Sequence, residues 1–207
     1  MALQYRGYLF RYLLWGGTLA IGFILFNYSI YYAPLPTYYL PGRVANNPHF
    51  SEALFGNLIS PARGLFVFSP IFIFSFLGLI SKARKQKFEI LDYFLIVIIL
   101  LHWIVISNFA HWWGGWSFGP RFFSDMVPYF IYFMVPIMGN IAKSRGIRKI
   151  VVITIFCILI MFSLLVHYMG ANSRATQNWN VFPVNVDLKS SRVWDWSDLQ
   201  FLKGIRD

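Results

Sequence analysis

Five apolar runs, over residues 12–32, 65–80, 90–108, 126–141 and 150–169, constrain this chain more than any other feature in it. A helix crosses the hydrocarbon core of a bilayer with about 20 predominantly apolar residues. A water-soluble domain of 207 residues has no use for so many runs near that length. In hydrocarbon each backbone N–H and C=O must find its partner within the protein, which leaves helices for segments of this kind. The chain therefore reads as an all-α integral membrane protein with about five transmembrane helices. Its 57% of hydrophobic and 13% of charged residues agree with that class.

The charges then orient the helices. Ten Lys and Arg fall in the amino terminus (Arg6, Arg11) and in the two basic loops over 81–87 and 142–149, against three (Arg43, Arg63, Arg121) in the loops on the other side. The positive-inside bias puts the amino terminus in the cytoplasm and the carboxy-terminal tail on the outer side of the cell's inner (plasma) membrane. The first run carries no small-residue cleavage site and is expected to stay as a span. Residues 1–169 form the transmembrane domain and 170–207 an extracytoplasmic tail. That tail holds Trp179, Trp194 and Trp196 with Val181, Phe182 and Val193, too apolar for a disordered segment, and is expected to lie ordered on the outer surface. The outer loop over 33–64, rich in proline, is expected to lie on the membrane surface. The net charge of +10 serves topology and anionic lipid, and nucleic acid is excluded as a partner.

The turn between the third and fourth runs, HWWGGWSFGPRFF over residues 111–123, packs three tryptophans, three glycines, a proline and an arginine together. Tryptophan favours the depth at which hydrocarbon meets headgroups, because its ring is apolar and its N–H needs a polar partner. Glycine lets the backbone turn or come close to a ligand, and Pro120 fixes one dihedral. Arg121 is a permanent cation with a planar fork of donors that suits a phosphate. Arg63, in SPARGLFVFSP over residues 60–70, repeats that chemistry at the same expected face. A structural alternative, in which either arginine anchors a helix end by snorkelling, stands beside it.

The remaining polar residues in the spans read as packing groups. Asn27 is expected to bond a neighbouring helix, and His102 to be a satisfied helix residue. His49, His102, His111 and His167 show no close pairing with Cys, Asp or Glu, so neither a metal nor a cofactor is expected. Cys157, the single cysteine, lies inside an apolar run and can form no intrachain disulfide.

With these motifs in view, SPARGLFVFSP, WWGGWSFGPRFF, WNVFPVNVD and RVWDW resemble the carboxy-terminal half of bacterial GT-C type polyprenyl-phosphate-dependent glycosyltransferases, the broad relatives of protein mannosyltransferases. The resemblance covers nearly the whole chain. It implies a sugar taken from a polyprenyl-phosphate carrier at the outer membrane face. It also implies an acidic catalytic residue in a first outer loop, which no part of this sequence resembles. The chain is thus expected to be incomplete as an enzyme: a gene fragment, a split subunit that works with a missing amino-terminal half or a partner, or a diverged remnant.

A sugar leaving a phosphate carrier releases negative charge, which fixed cations stabilise. Arg63 and Arg121 are therefore expected to meet at one lipid-phosphate site, with Trp112, Trp113 and Trp116 against isoprenoid or sugar faces. Glu52 and Asp125 are the weak choices for the base that accepts the acceptor's proton, Asp125 being more readily the ion-pair partner of Arg121. Two alternatives come from other classes: a non-catalytic membrane subunit or scaffold, and a small transporter, to which only His102 and Pro70 point.

Overall fold

The computed structural model describes residues 6–36 and 47–205. The expected surface loop from residue 37 to 46, with Arg43, and the last two residues of the tail lie outside the described residues. Contacts divide the chain at Asn46 into two units. The first holds α1 (Arg6–Tyr31), an unbroken helix whose side chains are almost all exposed. The amide of Asn27 bonds within its own helix. It donates to the Phe23 carbonyl one turn back, at 2.8 Å.

The second unit runs through α2 (Phe50–Ile59), α3 (Leu65–Phe68), α4 (Ile73–Arg84), α5 (Ile90–Ser107), α6 (Val127–Lys143), α7 (Ile147–Asn172) and α8 (Arg174–Asn178), joined by 3-10 turns. Among the described residues, four helices are long and apolar enough to cross a membrane: Gly7–Tyr31, Ile90–Ser107, Arg121–Lys143 and Ile147–Asn172. Their apolar side chains face outward, the arrangement that lipid rather than water permits. α5 is rich in isoleucine and valine, residues that favour strands in water, but an unpaired strand edge has no place in hydrocarbon.

The run over 65–80, expected as one span, is not one helix. It is α3, a 3-10 turn over Pro70–Phe72, and α4, whose 12 residues reach about 18 Å. Pro70 has no N–H to give the carbonyl four residues back, and its ring keeps the preceding residue out of the α region. Ser69 accordingly sits at φ −136°, ψ 63°. Pro70 then opens the next turn, where its missing N–H costs nothing.

α4 lies hard against α6. A Cβ on Gly78 would stand 1.8 Å from the Phe133 carbonyl oxygen, so only glycine lets the two backbones come this close. One turn earlier Ser75 Oγ donates to the Phe130 carbonyl at 2.7 Å. Leu65, Phe72, Phe74, Ile106, Phe123 and Phe130 belong to the apolar core that these helices share.

Hydrogen bonds mark the two ends of this bundle. At one end Lys82 Nζ donates to both carboxylate oxygens of Asp92, at 2.7 and 2.8 Å, and Tyr132 Oη to one of them at 3.0 Å. Asn140 ties α6 to Ser81 at 2.6 Å and accepts from Lys85. At the other end Ser107 receives Asn47 and Asn57, at 2.9 and 3.2 Å. There α2, the 111–117 turn and the tail bury Ala53, Ala62, Trp112, Trp179, Val186 and Val193 in a second apolar core, a cap on the bundle. Trp179, Val186 and Val193 of that cap come from the tail.

Candidate functional site

Arg63 is built into the cap from the turn it stands on. Ser60 Oγ accepts from the N–H groups of Ala62 and Arg63, at 3.2 and 3.1 Å, and the Gly64 N–H closes the turn on the Ser60 carbonyl at 2.7 Å. The guanidinium that this turn projects is 2% exposed. Its five N–H groups all donate: Nε to the Trp113 carbonyl at 2.6 Å, Nη1 to the Ala62 carbonyl and Gln200 Oε1 at 2.8 and 2.6 Å, and Nη2 to the Gly115 carbonyl and Asn180 Oδ1 at 3.1 and 2.8 Å. A guanidinium has no further donor. Burial pushes it down to about 9, with Asp187 pulling the other way, and it remains a cation at neutral pH. Expected at a lipid phosphate, Arg63 here has its donors spent on holding three segments of the cap together.

The tail supplies most of that frame. Gln200, fully buried, receives Arg63 and donates to the Thr176 and Ser117 carbonyls at 2.9 and 3.1 Å. Arg192, which the sequence reading did not single out, donates to the Trp179 and Phe182 carbonyls at 2.9 and 3.0 Å and to Asp198 Oδ2 at 3.2 Å. Both guanidinium groups stand over the Trp179 ring, at 5.6 Å for Arg63 and 4.4 Å for Arg192. Burial pushes the Asp198 carboxyl up, but Lys203 and Arg192 outweigh it and hold the group below the usual carboxylate range.

The tryptophans of the central turn divide in the same way. Gly114 and Gly115, at φ 75° and 61°, reverse the chain so that Trp112 and Trp113 turn inward. Trp112 is 2% exposed and lies on Gly56, where a Cβ would meet its ring at 2.1 Å. Trp113 is buried and donates to Asp187 Oδ1 at 2.8 Å. These two rings, expected against isoprenoid or sugar faces, lie in the core of the cap. Trp116 alone stays outside, 60% exposed, with its N–H on Asn185 Oδ1 at 3.1 Å.

The acids part from expectation too. Glu52 Oε1 accepts from Trp194 Nε1 at 2.8 Å, so it anchors the tail to α2. Asp125 is exposed and is not paired with Arg121, since the ion pairs among the described residues are His49–Glu52, Lys82–Asp92, Arg192–Asp198 and Lys203–Asp198. Arg121–Met126 is a 3-10 helix, in which residues three apart share a face and residues four apart do not. His102 is satisfied by the Phe122 carbonyl at 2.6 Å, and no group of three His, Cys, Asp or Glu among the described residues could hold a metal.

Arg121 remains. It is exposed, and its side chain has no hydrogen-bond or ion-pair partner among the described residues; it lies on the lining of a partly open cavity of about 450 Å³. Arg63 is not on that lining, so the two arginines do not share this site. Ile131, Met134, Ile160 and Leu164 make its walls apolar, while Ser69, Ser124, Ser163 and His167 give it polar points. The break at Ser69 shapes it: Ser69 Oγ and His167 Nε2 are 2.7 Å apart, which joins the broken helix to α7. Phe118 closes one side, its ring against Gly170, where a Cβ would lie 2.2 Å away. The sequence offered no sign that His167 and Ser69 meet, since 98 positions separate them.

Compared with models of known protein families, with curated proteins and with solved structures, the chain matches none.

Proposed function

We propose that this chain is the membrane-embedded part of a glycosyltransferase system of the GT-C kind, which holds a polyprenyl-phosphate-linked sugar at the outer face of the plasma membrane. The observation that carries the reading is the Arg121 guanidinium, without a partner among the described residues, on a partly open cavity whose walls are apolar. A phosphate gains more from a fixed guanidinium at a low-dielectric boundary than in water, and apolar walls beneath it suit an isoprenoid chain. On this reading the amino terminus is cytoplasmic, the cap is extracytoplasmic, and the broken segment from Leu65 to Arg84 is a fifth crossing.

The chain binds the carrier and does not transfer sugar unaided. Glu52 is committed to Trp194, and Asp125 is not on the cavity lining. A membrane subunit or scaffold that presents the carrier to a catalytic partner follows from the same facts.

Purified protein in lipid nanodiscs, titrated with undecaprenyl phosphate, tests the binding. Loss of one charge-assisted contact weakens affinity about tenfold or more, so Arg121→Ala should do so, while inorganic phosphate at equal concentration should not compete. Equal affinity in the variant overturns the assignment of the headgroup to Arg121. Sugar transfer from a polyprenyl-phosphate donor by the chain alone would overturn the non-catalytic part.

A further inference from the structure

We infer that His167 is the second contact of the phosphate site and makes carrier binding proton-coupled. This rests on the reading of the cavity as a phosphate-lipid site and adds to it a ligand and a pH dependence.

His167 lines the same cavity as Arg121. Its side chain is accessible from the cavity, five residues before α7 ends. Ser69 Oγ fixes one ring nitrogen, Nε2, at 2.7 Å. The other, Nδ1, makes no hydrogen bond among the described residues, so the ring is held in orientation with one nitrogen spare. Ser69 is itself 5% exposed and sits on the helix break, so the hydroxyl that orients the ring has a fixed backbone beneath it. A polar pair serving only to join α7 to the broken helix would not need the ring to open on a cavity that also holds an unpartnered arginine.

The charges around the ring leave it free to respond. Among the described residues, Arg121 is the one charged residue on the cavity lining. α6 offers Val127, Ile131 and Met134 there, and the broken segment offers Leu65, Ile71 and Phe72, none of them titratable. The 3-10 turn over Gln200–Ile205, which packs on α7, carries Lys203, but its ammonium is bound to Asp198 at 2.6 Å. No carboxylate on the lining competes for the imidazolium. An anion within about 4–6 Å favours the protonated imidazole, so a phosphate placed between Arg121 and His167 takes up a proton as it binds. By linkage, affinity then falls as pH rises through the histidine range, by up to about tenfold per unit.

A phosphate monoester titrates in the same range and in the opposite sense, gaining charge as pH rises. The glycosylated carrier is a phosphodiester with one constant charge. The probe is therefore the methyl phosphodiester of a C15 prenyl alcohol, titrated into nanodisc-embedded full-length protein from pH 5.5 to 8.5. The wild type should lose about tenfold or more in affinity over that interval, and His167→Gln, which keeps a polar side chain beside Ser69, should bind with a flat profile. Arg121→Ala should bind more weakly at each pH and keep the slope. A flat wild-type profile, or the same slope in His167→Gln, overturns the inference while leaving the phosphate site standing. Absence of binding, or equal binding by Arg121→Ala, removes the site and the inference with it. A purely structural histidine would show itself as a lowered Tm in His167→Gln with the slope intact, which also overturns the inference.

Discussion

Arg63 and Arg121 differ in what the rest of the chain brings to them. Each stands at the start of an apolar segment with a glycine close by, and in the sequence nothing separates them. In the fold, Gln200 and Asn180 come to Arg63 from 137 and 117 positions away, and with three carbonyls they use up its donors. Among the described residues, no acceptor comes to the Arg121 guanidinium. The acceptors around Arg63 would be left unpaired by Arg63→Met, a change that keeps much of the volume and removes every donor. Unpaired buried polar groups cost about 1–3 kcal/mol each, so a loss of about 3 kcal/mol or more is expected, read as a lowered thermal unfolding midpoint in detergent. Arg121→Met should stay within about 0.5 kcal/mol of wild type. Equal midpoints for the two variants would contradict the division of labour between them. The sequence made the residue types legible. It could not reveal which arginine was spoken for, because that depends on contacts across more than half the chain.

At the scale of elements, hydrophobic length predicted four helices well and one badly. The runs over 12–32, 90–108, 126–141 and 150–169 fall on Arg6–Tyr31, Ile90–Ser107, Val127–Lys143 and Ile147–Asn172, because in lipid an apolar run has no regular option but helix. The run over 65–80 is as apolar as a span, and Pro70 was visible in it. Hydropathy weighs how apolar a residue is and ignores whether it can donate an N–H. Likewise the expected pairing of Arg121 with Asp125 assumed an α-helix where the chain makes a 3-10 turn. The broken segment keeps its place by packing rather than by its own continuity, and Gly78 is where that packing can be tested. Gly78→Ala would set a methyl 1.8 Å from the Phe133 carbonyl oxygen, so α4 and α6 must part, at a cost of about 1–3 kcal/mol or more. Gly139 in α6 has open space around it, and Gly139→Ala should instead be neutral or stabilise by up to about 1 kcal/mol. Similar unfolding midpoints for the two alanine variants would mean that α4 does not depend on this contact.

For the whole molecule, the charge pattern and the cap make one argument. α5 begins at the Lys82–Asp92 pair and ends at Ser107 among the amides of the cap. α6 leaves the 3-10 turn at Arg121 and ends where Asn140 meets Ser81 and Lys85. The basic loops over 81–87 and 142–149 and the cap therefore belong to opposite ends of one bundle, and a membrane around that bundle must leave them on opposite sides. The positive-inside bias then says which side is which. A single cysteine, introduced at exposed Ser191 in the tail of a Cys157→Ser background, should react in intact cells with a membrane-impermeant thiol reagent. A cysteine at Ser144, in the second basic loop, should react only after the cells are opened. Labelling of Ser144 with protection of Ser191 would invert the orientation and place Arg121 on the cytoplasmic side, away from the face that the proposed function requires. Labelling of both in intact cells would break the two-ended bundle itself, since helices that begin at the basic cluster and end in the cap cannot cross a bilayer and leave both ends on one side.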